Sequence, residues 1–206
     1  MDNTWTQIPT DEVIQNTIEL LSQNGISAEV VHTGQEAKEK VLQMLPEGAE
    51  VFTKTSETTR TIGLAEAIDT SDKYKSVRNQ LIKMDRTTQG REMQKLGAAP
   101  EYVVGSVNAV TEEGHIFIAS NTGSQLAADV YGAMHVIWVV GAQKIVKDND
   151  MAFKRIYERT LPLESVRINK AYNVTMGSFV SKLLIINKEV IPERTHIIFV
   201  KEVLGF

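Results

Sequence analysis

The segment Lys54-Thr55-Ser56-Glu57-Thr58-Thr59-Arg60 gathers two cations and, with Thr53 before it, five hydroxyls in one stretch. It follows an apolar run and precedes a helical pattern. A strand end, a helix start and positive side chains are the ingredients of an anion pocket, suited to a phosphate or a carboxylate. Glu57 supplies a carboxylate that would act as a base, with Lys54 or Lys144 as electrophilic support. A second loop, Asn121-Thr122-Gly123-Ser124-Gln125, places a glycine where a ligand could approach the backbone. A third, Gly141-Ala142-Gln143-Lys144, sets a glycine before a cation. Each has a plainer reading: Ser56 caps a helix and Lys54 is solvated, and the other two loops are turns. All three follow expected strands, so if those strands are parallel neighbours, the loops converge on one ligand edge.

Other chemistry is absent from the sequence. There is no cysteine, which removes disulfides, thiolate nucleophiles, Cys-bearing zinc sites and any iron–sulfur cluster held by this chain alone. No G-x-G-x-x-G follows the first strand, and there is neither a G-x-x-x-x-G-K-[ST] loop nor a G-x-S-x-G elbow. No cofactor is therefore expected on the chain. His32, His115, His135 and His196 are scattered without metal-ligand spacing and read as core or surface residues, His135 being the one expected to be buried; no metal site is predicted. Trp5 and Trp138 read as packing residues.

The elements that must position these loops follow from hydrophobic periodicity. Pro9-Thr10-Asp11-Glu12 caps a helix whose stripe is Val13, Ile14, Ile18 and Leu21, ending at Gly25. Residues 26–31 form a short strand, and Thr33-Gly34-Gln35-Glu36 is a capping box opening a second helix closed by Pro46 and Gly48. Residues 49–53 read as a buried strand, followed by the hydroxyl-rich loop and a helix carrying Ile62, Leu64, Ala65 and Ile68. Residues 71–96 are polar, with helices packed on one side. Residues 102–110 and 115–119, around Thr111-Glu112-Glu113-Gly114, form either a hairpin or two strands meeting at a bend. Residues 135–140 are the clearest buried strand. An amphipathic helix over 147–161 is expected to stop at Pro162, and residues 183–190 and 195–200 read as a terminal antiparallel pair. Helices alternating with buried strands predict a three-layer α/β/α domain with a mixed, mainly parallel sheet, one domain over residues 1–206.

Composition agrees with such a domain and narrows the partners. Of 206 residues, 42% are hydrophobic and 23% charged, enough for an ordinary core. The 22 Lys+Arg against 26 Asp+Glu give a net charge of −4, with no block of either sign, so nucleic acid is not expected as a partner. The polar, acidic opening Met1-Asp2-Asn3-Thr4 is unlike an export signal, and no apolar run approaches the length that spans a bilayer. A cytoplasmic protein with no membrane association is expected.

Three passages together resemble a known family: residues 102–114, Tyr102-Val103-Val104-Gly105-Ser106-Val107-Asn108-Ala109-Val110-Thr111-Glu112-Glu113-Gly114; then Ala119-Ser120-Asn121-Thr122-Gly123-Ser124; then residues 135–146, closing in Gly141-Ala142-Gln143-Lys144-Ile145-Val146. In this order they resemble the lactate-utilisation (LUD) domain family, which contains the small third protein of bacterial lactate-utilisation operons. Residues 53–63 look like that family's first ligand-edge motif, and the similarity runs through Leu204-Gly205-Phe206. The resemblance implies a fold similar to ribose-5-phosphate isomerase, glucosamine-6-phosphate deaminase and CoA transferases. It also implies a link to oxidation of lactate to pyruvate. Since this chain has no cysteine, any iron–sulfur cluster of such a pathway must sit on a partner subunit.

The leading expectation is a lactate-utilisation protein that binds a small anionic metabolite at the sheet edge through Thr55, Ser56, Thr58, Thr59, Asn121, Thr122, Gly123, Ser124, Gln125, Gly141 and Lys144; Glu57 and Lys54 are the catalytic candidates of the enzyme alternative. A homo-oligomer stays open. The alternatives are a free-standing enzyme acting on a sugar phosphate, nucleotide or CoA thioester, and a structural subunit whose loops bind nothing.

Overall fold

Hydrophobic residues at every position of a strand require cover on both faces, and the central strands of this chain have it. In the computed structural model, which describes residues 4–206, six parallel strands form the main sheet: β1 (Ser27–Val31), β2 (Glu50–Thr53), β3 (Lys75–Ser76), β4 (Tyr102–Gly105), β7 (His135–Gly141) and β10 (Thr195–Val200), in the order β1-β10-β7-β4-β2-β3. A second, four-stranded sheet contains β5 (Ala109–Thr111), β6 (Ile116–Ser120), β8 (Ile145–Val146) and β9 (Lys182–Ile186), in the order β8-β5-β6-β9. Its β5–β6 and β6–β9 pairs are antiparallel and its β5–β8 pair is parallel.

Period-two alternation divides the core of the main sheet. Val136, Trp138 and Val140 of β7, with Ile197 and Phe199 of β10, face one cluster; Ile137, Val139, Ile198 and Val200 face the other. Against the first face pack Ile14 and Leu21 of α1 (Asp11–Gln23), Val77 and Leu81 of α5 (Val77–Lys83), Leu96 of α6 (Gly90–Ala98), and Val110, Ile116 and Ile118 of the second sheet. Against the other pack Ala37 and Val41 of α2 (Gly34–Met44) with Leu64 and Ile68 of α4 (Leu64–Asp69). The outer face of the second sheet, at Ala109 and Phe117, is covered by Ala152 of α7 (Asn149–Arg155) and by Ile156, with Trp5 at its margin. The result is the α/β layering expected, with an entirely parallel main sheet.

The N-terminal caps form as anticipated. Thr10 Oγ1 accepts from the Val13 N–H and Thr33 Oγ1 from the Glu36 N–H, while the Glu36 carboxylate reaches back to the His32 N–H. Elsewhere the structure corrects the reading. Residues 183–190 and 195–200 are not an antiparallel pair, since β9 joins β6 in the second sheet while β10 enters the centre of the main sheet between β1 and β7. The run from Tyr102 to Val110 is two strands, broken at 106–108 where the chain passes from one sheet to the other. Pro162 does not stop the helix: a π-helical turn, Ile156–Thr160, joins α7 to α8 (Leu161–Tyr172), with Pro162 in the first turn of α8. His135 is only half-buried, stacked on Tyr102 with ring centroids 4.6 Å apart. Among the described residues no helix is long and apolar enough to cross a membrane, and no group of three His, Asp or Glu residues gathers as a metal site.

Candidate functional site

β2, β4 and β7 are adjacent in the main sheet, so whatever follows their C-terminal ends is brought together: Lys54 after β2, Ser106 after β4, and Lys144 after β7. Ser56 holds α3 (Glu57–Thr61) in place by accepting from the Thr59 N–H, and a 3-10 turn over Ala142–Lys144 redirects the chain after Gly141. These residues line a cavity of about 330 Å³, within the range of about 300–1,000 Å³ typical of small-molecule sites. Asn121, Thr122, Ser124 and Gln125 line it as well. They follow β6, which lies in the second sheet and runs antiparallel to its neighbours. The loops therefore meet in one cavity, but across two sheets rather than along the edge of one.

The two lysines of the cavity have opposite electrostatic situations. Lys54 is buried, its Nζ 2.6 Å from Asp129 Oδ2, with side-chain exposures of 4% and 0% for the pair. Trp138 Nε1 donates to the other oxygen of Asp129, 3.2 Å away, and the Lys54 ammonium lies 5.9 Å from the Trp138 ring centroid. Burial pushes the Asp129 carboxyl up, opposed by Lys54, Trp138 and Arg194. Asp129 is held by a π-helical turn, Ala128–Gly132, whose Ala128 and Asp129 carbonyls accept from Arg194; Arg194 in turn is paired with Glu189 at 2.7 Å. The expectation that Lys54 presents a free charge is corrected: that charge is consumed by Asp129.

Lys144 is also buried, but its Nζ donates only to neutral groups: Thr58 Oγ1 at 3.0 Å, Ser106 Oγ at 3.2 Å and the Val107 carbonyl at 3.1 Å. Among the described residues it has no carboxylate partner. Burial, and then the nearby Arg155 and Lys54 charges, push its pKa well below the usual 10.5. Arg155 is buried behind it, donating to the Asn108 carbonyl at 2.6 Å and to Thr160 Oγ1 at 3.2 Å. Burial and Arg159 bring its pKa down to about 10, and its Nε has no partner among the described residues.

The mouth carries two ion pairs. Arg60 closes on Glu57 at 2.6 Å, and Arg167 on Glu164 at 2.6 Å. Glu57 lines the cavity, but its carboxylate, expected from the sequence as a base, is held by Arg60 through three contacts. Thr55, Ser56 and Thr58 line the cavity. Thr59 does not; it is buried and its hydroxyl donates to the Ser56 carbonyl. Gly123, which adopts φ +83° beside Lys182, and Gly141, packed against Gln143 and Leu204, do not line it either. Residues the sequence reading passed over complete the cavity: Ser106, and from α8 and the segment after it Leu161, Arg167, Tyr172 and Phe179. Asp129 was the residue most open to discovery, a lone acid in the run Leu126-Ala127-Ala128-Asp129-Val130.

The LUD domain family model matches residues 14–200. A DUF162 family protein from Deinococcus radiodurans is 12% identical and superposes with a TM-score of 0.57 over 93% of this chain and 99% of that one, a likeness of fold. Two more distant solved structures are eIF2B beta from Chaetomium thermophilum (13% identity, TM-score 0.38, 57% of this chain and 44% of that one) and ribose 5 phosphate isomerase A from Neisseria gonorrhoeae (14% identity, TM-score 0.34, 56% of this chain and 54% of that one). No curated protein matches the chain.

Proposed function

The chain belongs to the LUD domain family, and from that premise we propose that it serves lactate utilisation by binding a small anionic metabolite in the cavity at Lys144. Oxidation of lactate to pyruvate would then proceed with an iron–sulfur partner subunit carrying the electrons, since this chain has no cysteine to hold a cluster and needs no cofactor of its own for the binding step.

One observation carries the reading. Lys54, Lys144 and Arg155 are three buried cationic groups around the site, and among the described residues one buried carboxylate, Asp129, serves them. Such an imbalance is relieved either by loss of a proton or by an incoming anion. Lys144 stands at the cavity wall, where a ligand carboxylate would meet it, and its present partners there, the hydroxyl oxygens of Thr58 and Ser106, are neutral acceptors.

Calorimetry with lactate tests this. Because burial lowers the Lys144 pKa, an arriving anion raises it again and shifts the amine toward its protonated form, so the observed heat should depend on the ionisation enthalpy of the buffer. Lys144→Met should bind lactate about 10-fold or more weakly, the loss of a charge-assisted hydrogen bond, and lose the buffer dependence. Equal affinity for the two proteins would remove Lys144 from the site and overturn the reading.

A further inference from the structure

Beyond holding an anion, the surroundings of Lys144 equip it for a reaction. Its amine is buried at the wall of a cavity reachable by a small molecule, and its partners satisfy an uncharged amine as well as an ammonium. The Thr58 hydroxyl donates to the Leu204 carbonyl at 3.3 Å and so is free to accept from Nζ. The Val107 carbonyl can only accept. The Ser106 hydroxyl, 3.2 Å away, can turn its proton toward Nζ. With two N–H groups donated, to Thr58 and Val107, and one hydrogen bond received from Ser106, a neutral amine has every position filled. Its lone pair then competes with one reorientable hydroxyl rather than with a proton, and the neighbouring Arg155 and Lys54 oppose protonation. A desolvated lysine beside other cations is the arrangement that makes an amine nucleophilic near neutral pH.

From this geometry we infer that Lys144 condenses with the carbonyl carbon of a small 2-oxo acid, forming an imine in the cavity. The inference rests on the reading of the cavity as an anion site, and the ligand class follows from combining the two requirements. The carboxylate answers the excess positive charge, and the adjacent carbonyl answers the amine. In the step, the Nζ lone pair forms a C–N bond and the carbonyl π pair moves to oxygen. Both amine protons leave with that oxygen as one water molecule, and the C=N bond closes. No oxidant or reductant is consumed. Thr58 and Ser106 lie within hydrogen-bond distance of Nζ and are the groups through which these protons pass. A hydroxy acid such as lactate meets the same anion site and cannot form the imine.

The test is reductive trapping of the intact protein. Pyruvate, the smallest 2-oxo acid, is added with borohydride, and the product is analysed by intact mass and peptide mapping. The expected result is a single adduct, heavier than the protein by one pyruvic acid less one oxygen atom, on the peptide containing Lys144. Lactate in excess should suppress it, and Lys144→Met should abolish it while remaining folded by circular dichroism. If Lys144→Met fails to fold, suppression by lactate in the wild type serves in its place, because adducts on surface lysines are insensitive to it. Pyruvate binding by calorimetry without an adduct at Lys144 would overturn the imine and leave the anion site standing. Adducts spread over exposed lysines would do the same. Failure of both pyruvate and lactate to bind would overturn the two readings together.

Discussion

Replacing Lys144 by methionine separates the titration of the buried amine from everything else the side chain does. The thioether keeps the apolar stem and approximate length, but it leaves Thr58 Oγ1, Ser106 Oγ and the Val107 carbonyl without their donor. At roughly 0.5–1.5 kcal/mol for each hydrogen bond, that loss is a few kcal/mol and independent of pH. The titration has the opposite sign and depends on pH. In the unfolded chain Lys144 holds its proton up to about pH 10.4; in the folded protein, burial and the Arg155 and Lys54 charges make it release the proton well below 10.5. Between the two values the unfolded state binds one more proton, so wild-type stability rises with pH there, by about 1.4 kcal/mol per pH unit from this one group. Below the folded value both states are protonated and the penalty is constant. The other charges around the amine are Lys54 with Asp129, Arg155, and the Glu57–Arg60 and Glu164–Arg167 pairs at the mouth; all are retained in the variant and cancel in the difference. Urea unfolding of both proteins across about pH 6 to 10 should therefore give a difference in stability that climbs with pH in favour of the wild type. A difference that stays flat over that range would show that Lys144 titrates as an ordinary lysine, and the reasoning about an uncompensated buried amine would fail.

Two further outcomes follow from the same site. Asp129→Asn leaves the Lys54 ammonium buried and unpaired, and urea unfolding should show a loss of about 3–5 kcal/mol, largely recovered by combining it with Lys54→Met; a loss below about 1 kcal/mol would mean that water or another group compensates Lys54. Gly205 has φ +63°, and a Cβ there would lie 2.4 Å from Thr58 Oγ1 and 2.9 Å from Thr58 N. Gly205→Ala should cost about 1–3 kcal/mol and, by displacing the hydroxyl that receives Lys144, weaken lactate binding; unchanged lactate affinity by calorimetry would show that Thr58 does not position the amine.

The parts of the fold that were legible in the sequence are those whose patterns are local. The stripe of α1, the caps at Thr10, Thr33 and Ser56, and the buried run of β7 all follow from spacing within a dozen residues. Strand partners were not legible in this way, because β-prone runs do not name their neighbours. Residues 182–186 and 195–200 are close in sequence and both apolar, and proximity favoured a hairpin. Yet Ile197, Ile198, Phe199 and Val200 are apolar at consecutive positions and fully buried, the signature of a central parallel strand, whereas Ile185 is exposed on the second sheet. That contrast was present in the sequence and outweighed by proximity. The site was partly legible for the same reason. Lys54, Ser56, Thr58 and the 121–125 loop could be singled out from local composition, while the α8 wall depends on a helix that continues through a π-helical turn and past Pro162.

Lys54 and Lys144 show how far local sequence can mislead about charge. Each follows the end of a buried strand, and each becomes buried in the same cavity. What separates them is a carboxylate 75 residues from Lys54 in sequence, fixed by a π-helical turn whose carbonyls are in turn held by Arg194 just before β10. Once Asp129 is committed to Lys54, no buried carboxylate among the described residues is left for Lys144, and its charge state passes to the ligand. A carboxylate seated directly against Nζ, as lactate's would be, favours the ammonium and withdraws the lone pair, while an empty cavity, or a 2-oxo acid that turns its carbonyl to Nζ, leaves the free amine favoured. The two properties proposed for Lys144 are thus alternatives at one nitrogen. Lactate should suppress reductive trapping by pyruvate in two ways, by occupying the cavity and by protonating the amine. The second way has its own signature: raising the pH should restore trapping at fixed lactate occupancy, whereas steric competition alone would leave it unchanged.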